Sequence, residues 1–482
     1  MRLLDRLSAH ATARGEALAI VEGRSELTYG GLQARVASLA NVLSDDADTP
    51  VAVMCTTLTG STVAMLASMA AGRTFVPIDP RGSATRICAM LDRIDVRTVL
   101  VDGDAPDEVV SGRRAIDALE RRESGDLPLP AARGAADEIA YILFTSGSTG
   151  VPKLVQHRCH TVDQVAANYV LEIGLLSGER LGVAAALAHD AAIVDIAGAI
   201  HVGATMVRLN ARDPRLWRRP DEWLRLQGVD VVHCVPTVGS RLLRKMKLPA
   251  AGGSASGLRA WVFGGEACSS DLLHLVRERT PTAVAFMLYG QTECSIISMK
   301  RADDPEEAGL LGHPVQGVEW TAVPTSEGVL ELHIRGALVA RGLDADGRAP
   351  GRQDAAQWSP TGDGVRMTEA GLAFWGRLDD LVKVRGERIS LREVESVLSL
   401  VSGVREAIVV LNGSSPDARL VAMVDCEPGR DPRLEALNEA LVEGIGSWVL
   451  LNRVVVVHSG LPVLPSGKLD RRSAVRMCAE IA

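Results

Sequence analysis

The stretch YILFTSGSTGVPK, Tyr141 to Lys153, runs from a short apolar segment into small hydroxyl residues and glycines, and ends on a lone lysine. Gly147, Gly150 and Lys153 stand at a G-x-x-G-x-x-K spacing. This is not a Walker A loop, which has four residues between its glycines and a lysine directly after the second. The physics is shared nonetheless. Glycines let backbone N–H groups approach phosphate oxygens, and Thr145, Ser146, Ser148 and Thr149 add hydroxyl donors. A flexible linker is the competing reading, but linkers seldom follow a buried strand and close on Pro-Lys.

Five further segments carry groups of the same kind. In FMLYGQTECS, Phe286 to Ser295, an aromatic ring at Tyr289 sits beside Gly290, and Glu293 offers a carboxylate to a divalent cation. SPTGD, ending at Asp363, places an acid where vicinal ribose hydroxyls would bind; taken singly it is also an Asx-turn. VFGGEA and GRLDDLVKVRGERI add glycines and charge. LPSGKLDRR presents Lys468 from a Pro/Gly loop, or else is an exposed tail. Only six of the 52 basic residues are lysines, so this chain uses arginine wherever any cation serves. Lysine then marks places that need a compact, flexible ammonium, and Lys153, Lys383 and Lys468 all fall in these motifs.

The elements that hold these groups alternate. Apolar β-branched runs at 51–54, 96–101, 139–144, 229–234, 260–263 and 283–288 are separated by helix-length periodicity, as at 29–44, 61–71 and 270–279. That alternation predicts an α/β fold with mainly parallel sheets between helices. After the polar tract 344–364 and a charged run near Leu378–Asp380 the pattern changes. Strands at 407–411, 420–424 and 454–457, with helices at 392–400 and 433–442, predict a small α+β domain. The expected domains are 1–378 and 379–482. With 47% hydrophobic and 23% charged residues the chain is globular, and at a net charge of -8 without a basic block it is not expected to bind nucleic acid. The eight scattered cysteines read as buried free thiols in a reducing cytoplasm, and the most apolar window is interrupted by His189, Asp190 and Asp195, so no membrane association is expected.

In this order the motifs resemble those of the adenylate-forming superfamily: acyl-CoA ligases, luciferases and nonribosomal-peptide adenylation domains. The resemblance extends from LTYGGL and AGRTFVPIDP to GKLDRR, over nearly the whole chain. It implies a large N-terminal domain of parallel-type sheets sandwiched by helices with a small barrel-like subdomain, and a mobile small C-terminal domain that turns about Asp379. It implies ATP and Mg²⁺ as cofactors. Thr145 to Gly150 with Lys153 would surround the ATP phosphates, while Gly264, Gly265 and Glu266 line an adenine slot in which Tyr289 stacks beside Gly290. Thr292 and Glu293 would serve phosphate and metal, Asp363 the ribose, and Phe374 and Arg377 the nucleotide's edge. Lys468 would be the mobile catalytic lysine, and Gly386 would approach the site after domain rotation.

By the same resemblance, the acid pocket would comprise Asp190, Ala191, Val194, His233, Val262, Gly264, Leu288, Ile296 and Ile297. Asp190 would pair with the α-ammonium of an amino acid; as a residue alone it also reads as a cap for a helix starting at Ala191. The remaining walls suit a hydrophobic or aromatic side chain with one hydrogen-bonding group, and a buried structural histidine accounts for His233 nearly as well. His189, Gln291 and Met287 depart from the usual amino-acid-activating pattern, and YGQTE also occurs in acyl-CoA ligases. The expected reaction is activation of an amino acid as aminoacyl-AMP, then transfer to a separate phosphopantetheinylated carrier protein in antibiotic-type biosynthesis. A carboxylate–CoA ligase and a non-catalytic nucleotide-binding module are the alternatives. An external thiol is expected because no carrier segment follows Arg472, and Arg388, Arg392, Arg471, Arg472 and Arg476 are a candidate basic face for an acidic carrier.

Overall fold

The computed structural model describes residues 2–44, 49–120, 138–145, 153–210, 213–248, 257–302, 304–325, 328–343, 356–378, 381–384, 387–412, 419–427, 429–446, 449–464 and 469–480. Ser146–Gly150, Asp379, Gly386 and Lys468 therefore lie outside the described residues, as does the side chain of Thr145.

The expected alternation folds as two large sheets with helices between and around them. Among the described residues one sheet has nine strands and the other seven. The first contains three consecutive parallel neighbours, β3 (Val231–Cys234), β4 (Ala260–Gly264) and β5 (Val284–Tyr289). The second contains the antiparallel pair β1 (Ile139–Thr145) and β2 (Lys153–Arg158). Helices α1 (Cys159–Ile173) and α2 (Asp190–Val202) pack together in the main core, whose members also come from both large sheets. A four-stranded antiparallel sheet carries β6 (Ser359–Thr368) and β7 (Gly371–Arg377). The C-terminal elements, among them α4 (Leu391–Leu398) and β8 (Val404–Asn412), close over a separate core around Val394, Leu398, Val409 and Leu437.

Where boundaries differ from expectation, local chemistry explains it. The helix expected from Ser61 begins at Leu58, because Thr57 caps it by accepting a hydrogen bond from the Gly60 N–H. The strand expected from Val96 begins at Thr98, since Asp95 turns the chain with φ of 50°. The helices Tyr29–Ser44 and Ser270–Arg279 match the apolar periodicity end to end. All eight cysteines are free, but Cys88, Cys159 and Cys268 are half-buried rather than buried. No helix among the described residues is long and apolar enough to cross a membrane.

Candidate active site

The seven-residue strand β1 and its partner β2 present the glycine-rich loop by its two ends. Their antiparallel register pairs Thr145 with Lys153, the two residues that flank the glycine-rich segment. Lys153 lines a cleft of about 1220 Å³. The same cleft is lined by Asp190, Gly265, Glu266, Leu288, Tyr289, Gly290, Thr292, Glu293, Asp363, Phe374 and Arg377. Residues scattered over 225 positions of sequence thus converge on one space. On the opposite side the cleft is closed by Arg392, Glu393, Ser396 and Leu400, from α4 and the turn after it.

At its centre, the Tyr289 hydroxyl donates to Asp363 Oδ2 at 2.5 Å, and Arg377 Nη1 donates to Asp363 Oδ1 at 2.9 Å and to the Thr361 carbonyl at 2.7 Å. Burial pushes the Asp363 carboxyl above its ordinary range, against the opposing pull of Tyr289 and Arg377. Burial likewise raises the Tyr289 phenol well above its usual value. The Phe374 ring lies 6.0 Å from that of Tyr289, tilted by 44°. Asp363 stands directly after Gly362, whose φ of 71° turns the TGD segment and whose missing Cβ leaves room for Arg377 Nη2.

The turn after β5 is equally constrained. A Cβ on Gly290 would lie 1.9 Å from the Ser295 carbonyl oxygen, so the chain folds back on itself only with glycine there. This turn rests on two residues not anticipated from sequence. Tyr141 reaches Ser295 Oγ at 3.2 Å, and His157 Nε2 donates to the Thr292 carbonyl at 2.6 Å. Their rings stack 4.5 Å apart. Burial lowers the His157 pKa to about 4, so the ring is neutral and its single N–H serves Thr292. A compositional signal was available: the chain has only four tyrosines, and Tyr289 belongs to the site and Tyr141 to its support.

Glu266 is committed locally, accepting from the Thr237 N–H at 3.0 Å where helix α3 (Pro236–Lys245) begins. From the C-terminal side Glu406, on β8, reaches Thr237 Oγ1 at 3.3 Å and Arg241 at 3.4 Å. Arg366 and the Trp375 indole N–H both bind Glu393 of α4, at 2.9 Å and 2.8 Å. Of the basic face expected for a carrier, Arg471 instead forms a two-pronged pair with the buried Glu395, at 2.6 Å and 2.5 Å. Burying that carboxylate requires a fixed cation, so the half-buried Arg471 is committed to an ion pair within the small domain. Arg392 faces the cleft.

On the acid side, α2 starts at Asp190 itself rather than at Ala191, and Asp190 Oδ1 accepts from the Ala191 N–H at 2.9 Å. Val194, His233, Val262, Ile296 and Ile297 are all at most 3% exposed and stand behind the cleft lining rather than in it. Of the expected pocket residues, His233, Val262, Gly264 and Leu288 are neighbours on the sheet. Register pairs His233 with Val262 and Gly264 with Leu288, and the two-residue strand period puts Val262 and Gly264 on the same side of β4.

Residues 7–343 match the family model of the AMP-binding enzymes, and residues 393–468 that of the AMP-binding enzyme C-terminal domain. The chain is 30% identical over 496 residues to the AMB antimetabolite synthetase AmbB of Pseudomonas aeruginosa, covering 97% of this chain and 38% of that protein. It is 30% identical to the phosphinothricin tripeptide synthetase PhsC of Streptomyces viridochromogenes, over 93% of this chain and 42% of the relative. The chain thus spans about two fifths of the length of these relatives. Among solved structures, ATP-bound MatB from Rhodopseudomonas palustris shares the fold with a TM-score of 0.83 at 20% identity, over 100% of both chains. A four-domain nonribosomal peptide synthetase bound to AMP and glycine gives 0.80 at 22% identity, over 98% of this chain and 36% of that one.

Proposed function

The chain belongs to the AMP-binding enzymes and is an adenylate-forming ligase; from that premise we propose that the acid it activates is an amino acid. The aminoacyl-AMP is then passed to the phosphopantetheine thiol of a carrier protein. The observation that carries this reading is Asp190, a carboxylate on the cleft wall at the first turn of α2, beside apolar walls. A carboxylate on the wall of the cleft attracts a cation that enters it, and a substrate ammonium is such a cation.

In the first half-reaction a carboxylate oxygen of the acid attacks the α-phosphorus of ATP, and the bond to pyrophosphate breaks. Two anions must approach, so cations have to be held at the reacting centre. Lys153 extends from the base of the phosphate loop toward the departing phosphates, and Lys468 is assigned to the bond-forming side. The Tyr289–Asp363–Arg377 cluster holds the nucleoside: Asp363 offers its oxygens to the ribose, and Tyr289 and Phe374 flank the base. Glu293 and the Thr292 hydroxyl form a hard-oxygen donor set that suits Mg²⁺. Among the described residues no three His, Cys, Asp or Glu side chains gather as a metal site. Mg²⁺ when bound supplies neutralisation of the phosphate charge. We place the hinge of the small domain at Asp379 and the domains at 1–378 and 379–482.

Asp190→Asn tests the reading by amino-acid-dependent pyrophosphate exchange. The substitution is expected to cost about 10- to 100-fold in kcat/KM for amine-bearing acids, the worth of a hydrogen bond to a charged group, and little for their des-amino counterparts. An unchanged profile removes the argument. Activity confined to acids without an amine, with coenzyme A as thiol, makes the chain a carboxylate–CoA ligase instead.

A further inference from the structure

The arginines that line the cleft are not alike. Arg366 donates to Glu393 at 2.9 Å, and Arg377 donates to Asp363 at 2.9 Å. Arg392, in the first turn of α4, lines the same cleft without such a partner. Its Nε is buried with no hydrogen bond, and its guanidinium makes no ion pair, among the described residues. A cation covered in this way is uncommon and calls for an anion.

The protein's own carboxylates do not supply it. Two lie within electrostatic reach of Arg392, Asp363 on the large domain and Glu395 one turn further along α4, and its positive charge favours the ionised form of each. Both are already taken. Asp363 accepts from Tyr289 and Arg377, and Glu395 from both prongs of Arg471. The backbone that carries Arg392 is also fixed, because Glu393, the next residue, binds Arg366 and the Trp375 indole N–H. What remains open to the guanidinium is the cleft, whose lining also includes Lys153, Thr292 and Glu293. The anion that adenylate formation brings into such a cleft is a phosphate.

We propose that Arg392 is a further nucleotide-binding residue, supplied by the small domain, whose guanidinium pairs with a phosphate oxygen of the nucleotide held at Asp363. A planar guanidinium can meet two phosphate oxygens at once, which an ammonium cannot. The contact ties the nucleotide to both walls of the cleft, through Asp363 on one side and Arg392 on the other. Movement of α4 away from the large domain withdraws this cation, so the phosphate is held more tightly in the docked orientation than in an undocked one. This rests on the nucleotide lying against Asp363, as in the proposed function, but not on the acid carrying an amine.

Equilibrium binding to the full chain, without an acid substrate, isolates the phosphate. AMP is compared with adenosine, which shares its base and ribose, and 4′-phosphopantetheine serves as a phosphate from another source. Arg392→Gln is expected to weaken AMP about 10-fold or more, the worth of a hydrogen bond between charged groups, and to leave adenosine within about twofold. Arg392→Lys keeps the charge and loses the fork, so AMP should weaken by about 3-fold, again without change for adenosine; this variant decides the matter if Arg392→Gln does not fold. A merely structural role would not separate AMP from adenosine. Equal losses for the two ligands place Arg392 on the ribose or base and overturn the proposal, as does AMP binding that survives both substitutions. Loss of 4′-phosphopantetheine binding with AMP unchanged gives the residue to the thiol carrier and overturns it as well. If wild type binds neither AMP nor adenosine, the placing of the nucleotide in this cleft fails, and this proposal with it.

Discussion

The two walls of the cleft are held by different physics. On the large-domain wall three polar groups are answered from within: Asp363, 3% exposed, has Tyr289 and Arg377, Glu266 has a helix start, and the Thr292 carbonyl has His157. Fixed dipoles of this kind need no reorganisation when charge develops. The small-domain wall meets the large domain through rim pairs. Arg366 and Glu393 are 51% and 27% exposed as side chains, and Arg241 and Glu406 are 34% and 23% exposed. Such pairs are typically worth about 1 kcal/mol or less each. One wall is therefore held more firmly than the other, as the proposed domain rotation would require.

The largest expected effect falls on the less firmly held wall. Lys468→Ala should lower pyrophosphate exchange about 10²- to 10³-fold, as for a lost oxyanion-type donor, with ATP binding and thermal stability nearly unchanged. The segment that carries it is tethered on either side, since Val463 bridges to Leu469 and the Asp470 N–H bonds the Pro462 carbonyl at 2.8 Å. Exchange within a fewfold of wild type would mean that this wall closes the site without joining its chemistry.

A smaller effect belongs to the firmly held wall. His157 titrates at about 4 in the fold against 6.5 when unperturbed, because burial disfavours its charged form. The folded pKa is the lower one, so the stability tied to the neutral ring is fully present above about pH 6.5 and is lost as pH falls through about 4. Between pH 7 and 5 this amounts to roughly 2 kcal/mol. Denaturant unfolding at both pH values should show that loss in wild type and less of it in His157→Gln, which keeps an N–H donor without the titration. His201 is also lowered to about 4, far from Thr292, so only the difference between the two proteins isolates His157. Equal slopes would show that the ring does not charge in this range.

How legible the two walls were in sequence follows from how they are made. The large-domain lining was readable because its residues come in short contiguous motifs, Tyr289 to Glu293 or Thr361 to Asp363, that a turn presents as a unit. Its supports were not. Tyr141 and His157 stand on paired strands with nothing in their own neighbourhood to mark them. The ion pair of Arg471 is hidden in sequence for a related reason. A charged residue near a C-terminus looks solvated unless the carboxylate it meets, Glu395, is seen to be buried. Periodicity gives which residues go inside; it does not give which polar residues inside will find each other.

The smallest effect sharpens the contrast most directly, because it addresses how loosely the second wall is held. Trp375 places its ring 4.2 Å beneath the Arg366 guanidinium while its N–H binds Glu393, so one arginine engages both partners of the contact. Arg366→Ala combined with Arg241→Ala removes two rim pairs at once. At about 1 kcal/mol or less for each, the docked orientation should lose up to roughly thirtyfold in population relative to the undocked one. Limited proteolysis at 379–386, between the two walls, should then proceed a fewfold faster in the double variant. The cleavage products should be the same, since each domain keeps its own core. Raising ionic strength should produce the same acceleration in wild type and little more in the variant, because exposed pairs are screened by salt and a buried apolar interface is not. If neither the substitutions nor salt changes the rate, the small domain is held by contacts other than these rim pairs, and the distinction between a firmly and a loosely held wall fails.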